Sequence, residues 1–261
     1  WSKYLRLVIP YVAAIGLAII CTFVASRWMQ HSSLSTSPEV AQLTSHLFLL
    51  QNLLGYESLS AGLWYVEIDF QLFLASLLLV FLIEKLSPAK WSHASTHSIS
   101  IGILTLLTIS SLFIFNLNDT LDTTFLYFYC SYGLGILVAY ITREKATYLL
   151  LSLLSAMVVL SLYLHFRERI FISLITAVLL CMAHQQDWMN ARIWHNPFSY
   201  LGKMSYSIFL VHFPISLLFS ALFYHLYPYH PEMNLLGMGL SAITSLIVAT
   251  IFYRVFEQRR I

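Results

Sequence analysis

An all-α, polytopic transmembrane helix bundle of about eight spans is the fold class this sequence predicts, on three observations. Of 261 residues, 59% are hydrophobic and 10% charged, and mean hydropathy is +0.74, far from the roughly one-quarter charged balance of soluble domains. Apolar runs close to 20 residues long recur along the chain. That is the length a helix needs to cross about 30 Å of hydrocarbon while satisfying every backbone N–H and C=O from within one segment. Those runs are continuously rich in Leu, Ile, Val and Phe, whereas a barrel needs stretches of about ten residues that alternate apolar with polar.

The first run, 4–26, follows Lys3 and Arg6 and lacks a small-residue cleavage site, so it reads as a span and not as a signal peptide. Because the chain opens on Trp1, it also reads as a protein entered partway along. From Arg27 to Ala61 a polar connection, HSSLSTSP, leads to the apolar patch HLFLLQNLLG, which is too short to span and lies at the interface or re-enters. The second run is 62–84, and the third to sixth are 98–117, 123–142, 147–165 and 169–184. The seventh, 200–224, is preceded by Asn196 and Pro197, which suit a helix N-cap and first turn; the eighth is 235–256. Connections elsewhere are short, without a soluble insert, low-complexity tract or repeat, so 1–261 reads as one membrane-embedded domain.

Charge sets an orientation. If the first span starts in the cytoplasm, Lys3, Arg6, Lys85, Lys90, Arg143, Lys145, Arg192, Lys203, Arg254, Arg259 and Arg260 fall inside, against Arg27, Arg167 and Arg169 outside. The positive-inside rule then places both chain ends in the cytoplasm of a multi-pass protein of the cell membrane. The net charge of +2 is mostly topology, and no basic run is dense enough for nucleic-acid binding. Cys21, Cys130 and Cys181 lie within spans without close spacing and read as small buried hydrophobes. No His/Cys/Asp/Glu spacing fits a metal, and there is no Gly-x-Ser-x-Gly nucleophile elbow. Trp64, Tyr65, Tyr127, Tyr129, Trp188 and Trp194 fall near span ends, where amphipathic rings suit the headgroup region.

The chemistry must come from polar residues inside the spans. An ionisable group near a helix centre costs about 2.5–3.5 kcal/mol on insertion scales and normally faces a bundle interior or wet cavity. Glu67, Asp69 and Gln71 sit near the start of GLWYVEIDFQLF. Counted from an outer entry at Gly62, Asp69 lies roughly 10 Å deep. Trp64, Glu67 and Gln71 share a face while Asp69 projects about 160° away, so one acid works on a substrate or partner side chain and the other holds a neighbouring helix or reaches the surface. In NPFSYLGKMSYSIFLVHFPI, His212 lies on the order of 13 Å beyond Lys203, on one face with Ser205, and Pro214 leaves the Leu210 carbonyl without a donor. A neutral imidazole there can take a hydroxyl proton, and a carboxylate can orient it or stabilise the imidazolium, with Asp69 and His212 in one chamber. Structural interhelical hydrogen bonding is the alternative for Asp69, Glu67 and His212. Lys3 and Arg6, three residues apart, can grip phosphates or serve topology alone.

With these residues the chain resembles the acyltransferase 3 family of integral membrane O-acyltransferases from end to end. WSKYLRLVIPYV looks like that family's third helix, which opens with a basic pair ahead of Arg-Ile-x-Pro. LWYVEIDFQLF is similar to its Trp-x-Leu-x-x-Glu-x-Gln-x-Tyr segment, aligning Trp64, Asp69, Gln71 and Phe73. FYCSYGLGILVAY resembles its Phe-x-x-Gly-x-x-x-Ala helix, and LGKMSYSIFLVHFPI with FYRVFE its closing two helices. The resemblance implies about ten spans, of which the first two, with an Arg and a His base, have no counterpart in this sequence. It implies transfer of an acyl group, commonly acetyl, from cytoplasmic acyl-CoA to a hydroxyl of an extracytoplasmic saccharide or lipid-linked sugar, with no bound cofactor. Asp69 and His212 would then be catalytic, with Lys3, Arg6, Trp64, Glu67, Gln71, Ser205 and Tyr206 binding substrate. Asp69 stands where most members have Glu, Phe73 where Tyr is usual, and Lys3 replaces the first Arg. A transporter or flippase, or an inactive truncated member, are the rival readings.

Overall fold

The computed structural model describes residues 2–35, 37–88, 93–143, 148–186, 188 and 197–258. Among them are ten α-helices and no strand: α1 (Ser2–Ala25), α2 (Val40–Leu47), α3 (Leu63–Leu86), α4 (His93–Phe113) and α5 (Phe125–Arg143), then α6 (Tyr148–Leu164), α7 (Glu168–Gln185), α8 (Pro197–Lys203), α9 (Ser205–Leu226) and α10 (Pro231–Phe252). Seven of these are long and apolar enough to cross a membrane, the last continuing through a π turn at Tyr253–Glu257. The fifth expected run, 147–165, is α6, whose 17 residues cover about 25 Å at 1.5 Å per residue. The seventh expected run is interrupted at Met204, whose φ of −96° and ψ of 9° separate α8 from α9. Asn196, Trp194, Lys90, Lys145, Arg192, Arg259 and Arg260 lie outside the described residues.

The helices form two compact units, 1–67 with 195–261, and 68–194. The boundary falls inside α3, immediately after Glu67.

In the first unit, α9 packs between α1 and α10. Two contacts fix how α1 and α9 run. The Tyr206 hydroxyl donates to the Leu7 carbonyl at 3.0 Å, and at the far ends Ala25 packs with Leu217 and Ala221. The two helices are therefore parallel and in register. Because α10 returns, its final turn meets the beginnings of both: the Ser207 hydroxyl donates to Glu257 at 2.7 Å, and Arg6 is within electrostatic reach of that carboxylate.

The connection from α1 to α3 does not stay at the end of α1. It folds back along it, so that the Tyr4 hydroxyl donates to the carbonyl of Leu47, the last residue of α2, at 2.7 Å. Of the two sequence options for HLFLLQNLLG, the structure takes re-entry. Irregular backbone survives at such depth only where protein supplies its hydrogen bonds, and here two Schellman-type ends do so. At the first, the Leu49 and Leu50 N–H groups bond to the His46 and Ser45 carbonyls. Leu49 holds the left-handed φ of 55° usually left to glycine, a strain offset by its fully buried side chain. At the second, Gly55 (φ 77°) and Tyr56 donate to the Asn52 and Gln51 carbonyls.

In the second unit, α5 packs against α4 and α7. Ser111 stitches the first pair, donating to the Leu126 carbonyl at 2.6 Å and accepting from the Cys130 N–H at 2.9 Å. A side chain on Gly133 would place Cβ 2.0 Å from the Thr108 hydroxyl oxygen, so α4 and α5 approach closely because that residue has none. Arg167, ahead of α7, donates to the Asn116 and Ser161 side chains and the Leu112 carbonyl. Arg169 stacks 5.1 Å from the Tyr127 ring centroid. Tyr129, expected near a span end, is fully buried, its hydroxyl 3.2 Å from that of Ser76. An aromatic flanked by Ile68, Leu72 and Leu104 belongs to the core, not to a headgroup layer. The three cysteines are free and buried, as expected.

Candidate active site

The re-entrant segment delivers α3 to the interior of the first unit. Gly62 is so close to α9 that a Cβ would lie 3.3 Å from the Phe209 ring and 3.6 Å from its carbonyl oxygen. Phe209 is only about 6 Å into α9. The first turn of α3 therefore starts beside the early part of α9, and positions along it are not counted from an outer surface.

This meeting forms an open pocket of 240 Å³ lined by Ala61, Gly62, Trp64, Tyr65, Phe209, His212 and Phe213, with the His212 side chain exposed at it. The Tyr65 and Phe209 rings meet edge to face at 5.6 Å, and His212 tilts against Phe209 at 6.0 Å. The His212 Nδ1 lies 2.7 Å from the Phe209 carbonyl and 3.2 Å from that of Ile208. Carbonyl oxygens only accept, so Nδ1 carries the proton and, in the neutral ring, Nε2 keeps its lone pair. The sequence pointed to the Leu210 carbonyl, released by Pro214; the imidazole instead takes the carbonyl nearest its own turn.

Beside this cavity lies a buried polar knot of Tyr11, His46, Gln51 and Glu67, each fully shielded from solvent. Residues 50–54 make a single helical turn, closed by the Leu54 N–H on the Leu50 carbonyl. Its opening N–H groups have no intrahelical acceptor, and Leu50 has no capping oxygen. Glu67 provides them from α3: its carboxylate accepts the Asn52 N–H at 3.0 Å and the Leu53 N–H at 3.4 Å. The Gln51 amide donates to the Tyr11 hydroxyl at 3.0 Å. Its own carbonyl oxygen is buried without a partner among the described residues.

His46 completes the knot. Nδ1 donates to the Gln42 carbonyl at 2.9 Å, and Nε2 accepts the Leu59 N–H at 3.3 Å, while the ring stacks on Tyr11. Burial pushes its pKa below the ordinary 6.5, against a smaller opposing effect of the Gln42 carbonyl. The unfolded chain thus takes up the proton first. This contribution to stability is complete above about pH 6.5 and is lost as pH falls below it. Melting temperature in detergent is expected to drop between about pH 7.5 and 5, and the drop should be shallower in His46→Asn.

The structure places the sequence candidates as follows. His212, Trp64 and the Glu67 anchor of the re-entrant turn come together in the first unit. Tyr206 is engaged with Leu7; Ser205 is exposed at the first residue of α9; Lys3 and Arg6 flank Tyr4 at the start of α1. Asp69 and Gln71 belong to the second unit. There Asp69 is half-buried within electrostatic reach of Tyr132, and Gln71 is buried. Sequence reasoning missed Tyr11, His46, Gln51 and Glu257. The signal for two of them was the polar pair inside the apolar patch HLFLLQNLLG. Among the described residues no group of three His, Cys, Asp or Glu can hold a metal ion.

A family profile described as an acyltransferase domain, that of the acyltransferase 3 family, matches residues 1–254. The chain belongs to the acyltransferase 3 family. No curated protein and no solved structure gives a significant match. The match covers residues of both compact units.

Proposed function

We propose that this acyltransferase moves an acyl group, acetyl being the simplest, from cytoplasmic acyl-CoA to a hydroxyl of an extracytoplasmic saccharide. The observation that supports this most is His212, whose Nδ1 donates to the Phe209 carbonyl and so leaves Nε2 for proton transfer at an aromatic-lined pocket. In the proposed step Nε2 takes the acceptor hydroxyl proton as the oxygen attacks the thioester carbonyl. The C–S bond breaks, the acyl oxygen ester forms, and the imidazolium returns its proton to the departing CoA thiolate. Trp64 and Tyr65 wall the reacting groups from lipid. Lys3 and Arg6, at the end of the unit where α1 and α9 begin, supply the phosphate grip, with Ser205 and Tyr206 in the first turn of α9.

Asp69 is proposed as a catalytic carboxylate and Gln71 as a substrate-binding residue. Membranes carrying the full-length protein, incubated with radiolabelled acetyl-CoA and the source organism's envelope polysaccharide, should transfer label to the polysaccharide. Asp69→Asn should lower that transfer at least tenfold, a lower bound for groups acting on transition-state charge. Unaltered transfer in Asp69→Asn would remove it from the site. Passage of acceptor across the membrane without covalent label would replace transferase by transporter.

A further inference from the structure

A second cavity, of 320 Å³, lies at the opposite end of the first unit from Arg6 and Glu257. It is within the roughly 300–1,000 Å³ range of small-molecule sites. Thr22 lines it from the last turn of α1, Ser26 from just past that helix, Ser35 and Ser37 from the connection, and Phe23 and Leu59 complete it. Hydroxyls gathered on an otherwise apolar wall suit a ligand that is itself rich in hydroxyls.

Their bonding sharpens the chemistry. Ser26 donates to the Phe23 carbonyl at 2.8 Å and Ser35 to the Leu59 carbonyl at 3.2 Å. Each hydroxyl has thereby committed its proton and keeps its lone pairs as acceptors. Arg27, whose guanidinium lies 4.8 Å from the ring centroid of the lining Phe23, brings donors next to it. The cavity therefore accepts from ligand O–H groups inside and donates to ligand oxygens at its edge.

Its position gives it a purpose. Leu59 lines this cavity and Ala61 lines the one containing His212, so a single residue, Ser60, separates them along the chain. His46 clamps that stretch by accepting the Leu59 N–H.

We propose that the hydroxyl-lined cavity at the C-terminal end of α1 is the docking subsite for the body of the acceptor saccharide, feeding one of its hydroxyls toward His212. This rests on the transfer reaction proposed above. Thr22→Val removes one hydroxyl at constant shape, and Ser37→Trp fills the cavity. With labelled acetyl-CoA and the envelope polysaccharide as probe, Thr22→Val is expected to raise the acceptor KM about three- to tenfold, the value of one uncharged hydrogen bond. Ser37→Trp should raise it further, with the KM for acetyl-CoA unmoved in both.

If either substitution prevents folding, Ser37→Cys gives an independent measurement. Its labelling by a membrane-impermeant thiol reagent should be slowed by the polysaccharide and not by acetyl-CoA. Wild-type transfer with unchanged acceptor KM in the variants, or unprotected labelling, would overturn the subsite. Protection by phospholipid vesicles but not polysaccharide would assign the cavity to lipid and also overturn it. An absence of transfer in the wild type would instead count against the reaction itself.

Discussion

Replacing His212 by alanine is expected to lower kcat for acyl transfer by about 10²–10⁴, the range over which a positioned general base contributes. The discriminating variant is His212→Asn. Its amide can still donate to the Phe209 carbonyl, as Nδ1 does at 2.7 Å, but it places nothing where Nε2 was. If the imidazole serves to hold α9 together, asparagine rescues activity; if Nε2 takes the proton, asparagine is as inactive as alanine while melting like the wild type. Both variants should bind acetyl-CoA with unchanged affinity, because Lys3 and Arg6 lie at the start of α1 and not in the His212 cavity. Activity in His212→Asn within a few-fold of wild type would end the assignment of His212 as base.

Glu67→Ala is expected to be the most destabilising single change in the first unit. The carboxylate is fully buried and accepts two backbone N–H groups of the turn at 50–54. A donor left fully buried without a partner costs about 1–3 kcal/mol; these two bonds are part-buried, so the loss is on the order of 2–3 kcal/mol. The Leu53 bond, the longer at 3.4 Å, accounts for the smaller share. Glu67→Gln should fall between, since its carbonyl replaces one acceptor while its NH2 opposes the other donor. The damage is local in origin. Once the turn is released from α3, an Asn52→Cys reporter should react faster with thiol reagents in the Glu67→Ala background. Equal melting temperatures for wild type and Glu67→Ala in detergent would show that the turn is held by something else.

Glu67 also shows where sequence reasoning stops. Its spacing from Trp64 and Gln71 identifies a face of α3, and the insertion cost of a carboxylate identifies that face as enclosed. Neither can name a partner, because the partner is a run of backbone amides on a segment whose side chains read only as an apolar patch. The same holds for His212: its depth along α9 follows from counting residues, whereas the proton's place on Nδ1 follows from which carbonyl lies 2.7 Å away. Tyr11, in a helix that reads as plain hydrocarbon, became visible only when Gln51 was found against its hydroxyl.

What the sequence determined alone is what depends on local composition: helices, because lipid admits no backbone group without an internal partner, their number to within α6, and the family, because motif order survives without coordinates. What the tertiary structure decided is where the chain between α1 and α3 goes. A connection of mixed polarity lies at an interface or dives inward according to whether buried acceptors await its amides. Only the assembled unit supplies the Glu67 carboxylate for the Asn52 and Leu53 N–H groups, together with Tyr4 donating to the Leu47 carbonyl and Tyr11 accepting from the Gln51 side chain.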